Sequence, residues 1–222
     1  MDKMGFTKNL YIIIILSLFA LFVFKSPVKG NTVSAGKENT QFPGTSILAQ
    51  SQDEGKNTVK VQIYDVNLND QDGNVVNFKN DIIGNRVAVI IPFYTTCPSS
   101  YPILIFVLSR LQALLGERLN TDVVLVSVTV DPKTDTPLRL KAYARQQKAR
   151  PGWFFLTGDR ENLTKVLVGS HLLLSDNLDN HNHIPITVVG RNGDAWRQFH
   201  GFPTPEQLLE EVEKYLGLEK PA

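Results

Sequence analysis

The single cysteine of this sequence stands where a thiol could react or bind a metal. The apolar, largely β-branched run from Val87 to Phe93 leads into a short polar turn that carries Cys97, and Pro98 follows at once. Apolar residues with helical spacing begin at Ile103. This order predicts a buried strand, a turn and a helix start, where unpaired N–H groups and the helix dipole favour an anion. We therefore predict that Cys97 ionises readily, with a buried structural cysteine as the alternative.

Other polar residues offer weaker candidates. His181 and His183 fall in a polar Asp/Asn/His segment that, by itself, is most simply a solvent-exposed loop. Asp131 and Asp135 have the positions of loop caps. The two remaining histidines fit no pattern, and we expect one at a helix end and one on a hairpin: His171 and His200.

Composition narrows the class of protein. The chain has 222 residues, 42% hydrophobic and 20% charged, which predicts one globular domain with extensions. A net charge of +1 without a basic stripe argues against nucleic acid as a partner. One cysteine excludes a disulfide within these residues and any multi-cysteine zinc site.

The N-terminal residues resemble an export signal. An uncharged apolar run, Leu10 to Phe24, follows two lysines and precedes Lys25. The run is shorter than the ~20 residues usual for a membrane-spanning helix, although shorter spans occur. We interpret residues 1–25 as an uncleaved signal anchor, with a cleaved signal peptide as the alternative.

The rest of the chain divides into a tether and a domain. Residues 26–56 are rich in small and polar side chains without periodicity, which predicts a flexible tether. Residues 57–220 form the predicted domain. Either interpretation of the N-terminus puts this domain in the periplasm or another extracytoplasmic space.

Alternating strand and helix patterns predict an α/β fold for the domain. A turn at Asp70–Asn74 with glycine at its tight point predicts an N-terminal β-hairpin. The predicted strands are Val59–Leu68, Val75–Phe78, Arg86–Phe93, Asp122–Val130, Pro151–Leu156, Pro185–Gly190 and Ala195–His200. The predicted helices are Ser99–Arg118, Leu138–Gln147, Arg160–Val168 and Thr204–Leu216, the last capped by Thr204 with Pro205 at its first position.

This order of elements matches a thioredoxin-like fold with an added N-terminal β-hairpin. In such proteins an Ile-Pro pair opens the penultimate strand with a cis proline beside the active cysteine. Ile184-Pro185 holds that position here. The cis isomer is implied by the resemblance alone.

Four segments together resemble the SCO (SenC-type) family of membrane-tethered copper proteins. The segments are Phe93–Pro98, Val128–Pro137 with its Asp-Pro-x-x-Asp-Thr-Pro pattern, Trp153–Asp159 with Leu-Thr-Gly-Asp, and the histidine-containing loop. The resemblance implies a metallochaperone that delivers copper during assembly of the dinuclear copper site of a cytochrome oxidase. It implies as partner the copper-containing subunit of a respiratory oxidase or another copper chaperone.

The family binds copper with two cysteines in Cys-x-x-x-Cys-Pro and one distant histidine. By resemblance the first cysteine is Cys97, and the histidine is His183, with His181 as the alternative. The second cysteine falls on Tyr101, which is the main departure from the family pattern. A phenol is a harder donor than a thiolate and offers little to Cu(I). We expect either a Cys–His site for Cu(I) or Cu(II), or loss of copper binding with Tyr101 packed on the helix.

Three functions remain open at this point. The first is copper delivery with an incomplete Cys-x-x-x-Tyr site. The second is a thiol redox protein of thioredoxin or peroxiredoxin type that uses Cys97 as its sole nucleophile. The third is a relative that docks on a partner without metal or redox chemistry.

Overall fold

The computed structural model describes residues 57–173, residue 178 and residues 185–218. The predicted anchor, the predicted tether, both loop histidines (His181 and His183) and Ile184 lie outside the described residues. The isomer of the Ile184-Pro185 bond therefore stays a prediction. No helix among the described residues is both long and apolar enough to span a membrane.

A six-stranded mixed sheet forms the centre of the domain. Its two middle strands, β4 (Val87–Phe93) and β5 (Val123–Thr129), are parallel and buried at every position. Such continuous apolar strands need cover on both faces, and helices supply it. The other strands of this sheet are β1 (Thr58–Val59), β6 (Trp153–Leu156), β7 (Ile186–Arg191) and β8 (Trp196–His200), in the order β1-β8-β7-β4-β5-β6.

The register of the middle strands leaves room at one edge of the sheet. β4 pairs with β5 along its whole length, so Phe93 lies opposite Thr129. The antiparallel pairing of β4 with β7 stops at Ile90. Pro92 has no N–H to offer a second neighbour, which is consistent with this early stop. The end of β4 is thereby free to turn toward the first helix.

Four α-helices are described: α1 (Ser100–Leu115), α2 (Pro137–Gln146), α3 (Arg160–Gly169) and α4 (Pro205–Leu216). The prediction that the first helix runs to Arg118 is wrong in part. Gly116 takes a positive φ of 57°, and Gly116–Arg118 is a short 3₁₀ turn. Helix α4 has the expected capping box, in which Thr204 and Gln207 each accept from the other's backbone N–H.

The predicted turn at Asp70–Asn74 joins two short strands, β2 (Asn67–Asn69) and β3 (Val75–Asn77), which pair antiparallel. Asp70 Oδ1 accepts from the backbone N–H groups of Asp72 and Asn74 inside the turn. The turn also contacts the main sheet, because Gln71 Oε1 accepts from the N–H of Phe155 at 2.9 Å. A π-helical turn, Phe78–Ile83, connects β3 to β4.

The prediction of one strand over Val59–Leu68 is wrong. Only its two ends are strands, and the segment between them follows an irregular path whose apolar side chains, such as Ile63, pack against the core. Its backbone bonds elsewhere, as Gln62 N–H donates to the carbonyl of Gly169 at 2.9 Å. The apolar alternation therefore reflects one-sided burial, and the described part of the chain places no strand beside the middle of this segment.

Candidate thiol and metal site

Cys97 lies in the turn between β4 and α1, as the sequence predicts. Its backbone N–H donates to the carbonyl of Tyr94 at 3.2 Å, which closes the turn. Its side chain is partly buried against the core and partly exposed. The sulfur lies 4.0 Å from Ser99 Oγ. The thiol is thus held at a helix start and remains open to solvent.

The pKa of the Cys97 thiol is lowered from its ordinary value. Burial by itself raises this pKa, but the N–H groups of Ser99 and Tyr101 and the hydroxyls of Tyr94 and Ser99 stabilise the thiolate and outweigh burial. Ser99 is the N-cap of α1 and makes no side-chain cap hydrogen bond. The sulfur therefore acts as the acceptor that a capping side chain would otherwise supply. A thiolate so stabilised is a better nucleophile and a better soft-metal ligand than a free cysteine.

Tyr101, the position at which the resemblance implies a second cysteine, is a core residue. Its side chain is 1% exposed and meets the ring of Tyr94 edge to face. Burial, followed by the nearby charges of Cys97 and Tyr94, raises the pKa of Tyr101 far above its ordinary value. The phenol therefore stays protonated at physiological pH. A neutral, buried phenol does not fit the role of a copper ligand.

Two more phenols face the thiol, and sequence reasoning missed both. Burial and then the hydrogen bond and charge of Cys97 raise the pKa of Tyr94. Burial and then the charges of Cys97 and Asp135 raise the pKa of Tyr143 in α2. Tyr143 also packs on Phe93, with ring centroids 5.9 Å apart. Cys97 thus borders neutral aromatic side chains on the protein side and solvent on the other.

Asp135 is fully buried, and its carboxylate accepts hydrogen bonds from two neighbouring segments. Thr95 donates its backbone N–H to Oδ2 at 3.1 Å and its hydroxyl to Oδ1, and the Thr129 hydroxyl donates to Oδ2 at 2.6 Å. Arg139 Nε in turn donates to Thr95 Oγ1 at 2.6 Å. The prediction that Asp135 caps its own loop is therefore wrong. Its partners Thr95 and Thr129 come from the Cys97 turn and the end of β5. No pattern of neighbouring residues in the sequence predicts these two contacts.

Asp131 does act within its own loop, as predicted. Its carbonyl accepts from the N–H of Asp135 at 2.9 Å, and its Oδ1 accepts from the N–H of Thr134 at 3.3 Å. This local turn sets the direction in which Asp135 leaves the loop.

The structure describes two histidines, and both lie where the sequence predicts them. His171 follows the end of α3, where Nε2 contacts the carbonyl of Lys60 at 3.2 Å, and His200 ends β8, both as expected. The described part of the chain contains no group of three or more His, Cys, Asp or Glu residues placed to hold a metal ion. Ligand roles for His183 and His181, and the substitution of Tyr101 for a second cysteine, stay predictions.

The chain re-enters the described domain at the same edge of the sheet as Cys97. β7 runs antiparallel to β4, so it begins with Ile186 near the point where β4 ends. Pro185 accepts from the N–H of Gly201 at 2.8 Å, which ties this edge to the end of β8.

A central parallel pair of strands, a cysteine at the start of the following helix and a closing β-hairpin with a helix define a thioredoxin-like α/β protein. Known structures share this fold. BsSco, described as a member of the Sco family of cytochrome c oxidase assembly proteins, superposes with a TM-score of 0.61 at 21% identity over 75% of this chain and 100% of that one. ScoI of Bradyrhizobium japonicum, solved with copper bound, gives 0.54 at 25% identity over 67% of this chain and 96% of that one.

The sequence itself assigns the family. The SCO1/SenC family model matches residues 56–217, and the chain belongs to this family. A SCO2-like protein of Rickettsia conorii is 25% identical over 154 residues, which cover 66% of this chain and 73% of that protein. The matched region coincides with the predicted domain.

Proposed function

We propose that this chain binds copper through Cys97 and delivers it during assembly of a respiratory cytochrome oxidase. The observation that carries the proposal is the placement of Cys97: a solvent-accessible thiol of lowered pKa at the first helix of a SCO1/SenC domain. The copper-bound ScoI structure and the description of BsSco as an assembly protein support the same function.

The donor chemistry favours Cu(I) over Cu(II) as the bound form. Cys97 supplies one soft thiolate, and the neutral buried Tyr101 supplies no usable oxygen. Cu(I) accepts two-coordinate sites of sulfur and nitrogen, whereas Cu(II) prefers more ligands of N and O type. We infer that the copper affinity is lower than that of a site with two cysteines.

His183 is the second ligand in this proposal, and His181 is the alternative. His183 comes two residues before Pro185, which lies at the edge of the sheet where β4 turns toward Cys97. The copper titration of His183→Ala and His181→Ala distinguishes the two histidines.

The partner we propose is the copper-containing subunit of the oxidase, or a copper chaperone that loads this protein. The first two turns of α1, directly after Cys97, expose Ile103 and Phe106, which are 46% and 64% accessible. Exposed apolar side chains beside a donor thiol suit transient contact with another protein.

We propose that residues 1–25 anchor the chain in a membrane with the domain in the periplasm. Alkaline extraction of membranes should leave the anchored chain in the pellet, and a chain released to the supernatant contradicts the anchor.

The test is a copper titration of the full chain in detergent. Cu(I) is added in competition with a chromogenic chelator, alongside Cys97→Ala, His183→Ala and His181→Ala. We expect one Cu(I) per native chain and loss of binding in Cys97→Ala. One histidine variant should weaken binding and the other should not. His200→Ala is the matched control, because His200 ends β8 and should leave the affinity unchanged.

Binding that survives in Cys97→Ala contradicts the proposed site. If the native chain binds no copper, the delivery function is wrong, and Cys97 is left with thiol chemistry or the protein with docking alone. Native copper affinity in both loop-histidine variants removes the histidine from the proposal and leaves Cys97 as the ligand that binding requires.

A second candidate function is thiol redox chemistry, which the lowered pKa of Cys97 favours. In this reaction the thiolate attacks one oxygen of hydrogen peroxide, the O–O bond breaks, hydroxide leaves and a sulfenic acid forms. Reduction then needs an external thiol, since the chain has one cysteine. Trapping of sulfenic acid with dimedone, faster than for a free cysteine, would support this function; a rate equal to that of free cysteine would contradict it.

A further inference from the structure

We propose that Asp135 is a positioning residue that holds the Cys97 turn against the sheet, so that the sulfur faces the N-terminal N–H groups of α1. The inference deepens the proposed function, because it concerns how the same thiol is presented. It requires only that Cys97 be the functional thiol, whichever chemistry that thiol performs.

The first argument is burial. The side chain of Asp135 is 0% exposed, although it leaves a loop whose neighbouring residues are largely accessible to solvent. A buried carboxylate costs several kcal/mol in lost hydration, and only hydrogen bonds or a counter-charge repay that cost. Its nearest cation, Arg139, is 3.9 Å from Oδ1 and half exposed. A buried charge of this kind is weak evidence of a purely stabilising role.

The second argument is where the hydrogen bonds go. Two of the three groups that donate these hydrogen bonds belong to Thr95, which lies two residues before Cys97 and forty residues from Asp135 in sequence. The third donor is Thr129, the last residue of β5, which the sheet fixes. Asp135 thus joins the turn to a rigid strand. A carboxylate that served only its own loop would bond there, as Asp131 does.

The third argument is that Thr95 is held from both sides. Its hydroxyl has one proton, which goes to Asp135, and its lone pair accepts from Arg139 Nε at 2.6 Å. Both polar groups of Thr95 therefore have defined partners, and the backbone before Cys97 is fixed in orientation. Because Thr95 lies inside the turn that the Cys97 N–H closes on the Tyr94 carbonyl at 3.2 Å, a loosened Thr95 should displace Cys97.

The test compares three variants of the full chain. Asp135→Ala removes both carboxylate oxygens that accept from Thr95 and Thr129. Asp135→Asn retains an oxygen for Thr95, and its amide can donate to Thr129 Oγ1, which already accepts from the N–H of Asp131. Asp159→Ala is the matched control, because Asp159 caps α3 through the N–H of Asn162 and makes no contact with the Cys97 turn in the described contacts.

Two readouts separate positioning from simple loss of stability. The first is the rate of Cys97 alkylation by iodoacetamide at one fixed pH. The second is hydrogen exchange of a peptide covering residues 94–101, compared with a peptide from β5. We expect Asp135→Ala to slow alkylation about threefold or more, because the N–H groups of α1 no longer face the sulfur. Exchange should rise in the turn and not in β5.

Asp135→Asn should restore most of the native alkylation rate, and Asp159→Ala should leave that rate unchanged. An unchanged rate in folded Asp135→Ala overturns the proposal. So does an Asn variant as slow as the Ala variant, because the charge and not the hydrogen bonding would then be responsible. If Asp135→Ala fails to fold, Thr95→Val decides: slowed alkylation supports the proposal and the native rate contradicts it.

Failure of this inference is distinct from failure of the proposed function. Alkylation and exchange are measured without copper. A chain that binds no copper but shows the expected variant pattern keeps Asp135 as a positioning residue of a thiol with another task.

Discussion

The rings of Tyr94 and Tyr101 meet edge to face, with centroids 5.5 Å apart and planes at 84°. Both phenols lie near Cys97, since burial and then Cys97 raise the pKa of each. Tyr94 contributes a hydrogen bond to the sulfur, and Tyr101 contributes packing. Tyr101 is therefore a core side chain beside the thiol.

If Tyr101 packs and does not bind metal, Tyr101→Phe should leave copper stoichiometry and affinity unchanged. The ring stays in place, so the free energy of unfolding should change by no more than about 1.5 kcal/mol. Chelator competition and urea unfolding measure the two quantities. A loss of copper in the Phe variant would show that the phenol oxygen is a ligand.

The reverse substitution should strengthen copper binding. Tyr101→Cys supplies a second thiolate four residues after Cys97, and its Cu(I) affinity should exceed that of the native chain. The smaller side chain leaves a cavity, so stability should fall by about 3–5 kcal/mol, as for other large aromatic truncations. Tyr101→Ser is the control for the cavity without the thiol. Equal affinity in the Cys and Ser variants would contradict this prediction.

The alkylation of Cys97 should depend on pH with a midpoint below that of a free cysteine. The sign follows from the lowered pKa: the folded state favours the thiolate, so this contribution to stability is present above the unfolded pKa and lost as pH falls through the folded one. Tyr94→Phe removes one stabilising hydroxyl and should move the midpoint upward. The pH profile of the iodoacetamide rate measures both values. A midpoint unmoved by Tyr94→Phe would exclude that hydroxyl as a cause.

Gly190→Ala should destabilise the sheet without changing the thiol. A Cβ on Gly190 would lie 2.5 Å from the Trp196 ring, and that ring is fully buried. Overpacking of this kind costs about 1–3 kcal/mol, measurable as a lower urea midpoint. Gly193→Asn is the comparison, because Gly193 has open space around it and a positive φ of 94° that Asn tolerates. Equal stability in both variants would mean that Trp196 can move aside.

Thr204→Ala should cost about 0.5–2 kcal/mol of stability. The hydroxyl of Thr204 accepts from the N–H of Gln207 at 3.2 Å, and Gln207 Oε1 accepts from the N–H of Thr204 at 2.8 Å. The substitution removes the first bond of this capping box. Chemical unfolding measures the loss, and Thr204→Ser, which keeps the oxygen, should recover most of it. A Ser variant as unstable as the Ala variant would assign the effect to the methyl group.

Local patterns in the sequence determined the order of elements and the place of the thiol. The apolar run to Phe93, the polar turn and the helical spacing after Cys97 each depend on neighbours along the chain, which is why they could be interpreted directly. The capping box at Thr204 follows from residues three apart. The resemblance that led to the SCO family used the same kind of local segment.

Tertiary structure alone decided what surrounds the thiol. Asp135 meets Thr95 across forty residues, and the burial of Tyr101 depends on how α1 packs against the sheet. The apolar alternation of Val59–Leu68 led to a wrong strand prediction for the same reason. Alternation reports burial on one side and does not reveal whether another strand is present to pair with. Side-chain chemistry is local, but burial and hydrogen-bond partners arise from distant segments, and these set the protonation and placement of the groups at Cys97.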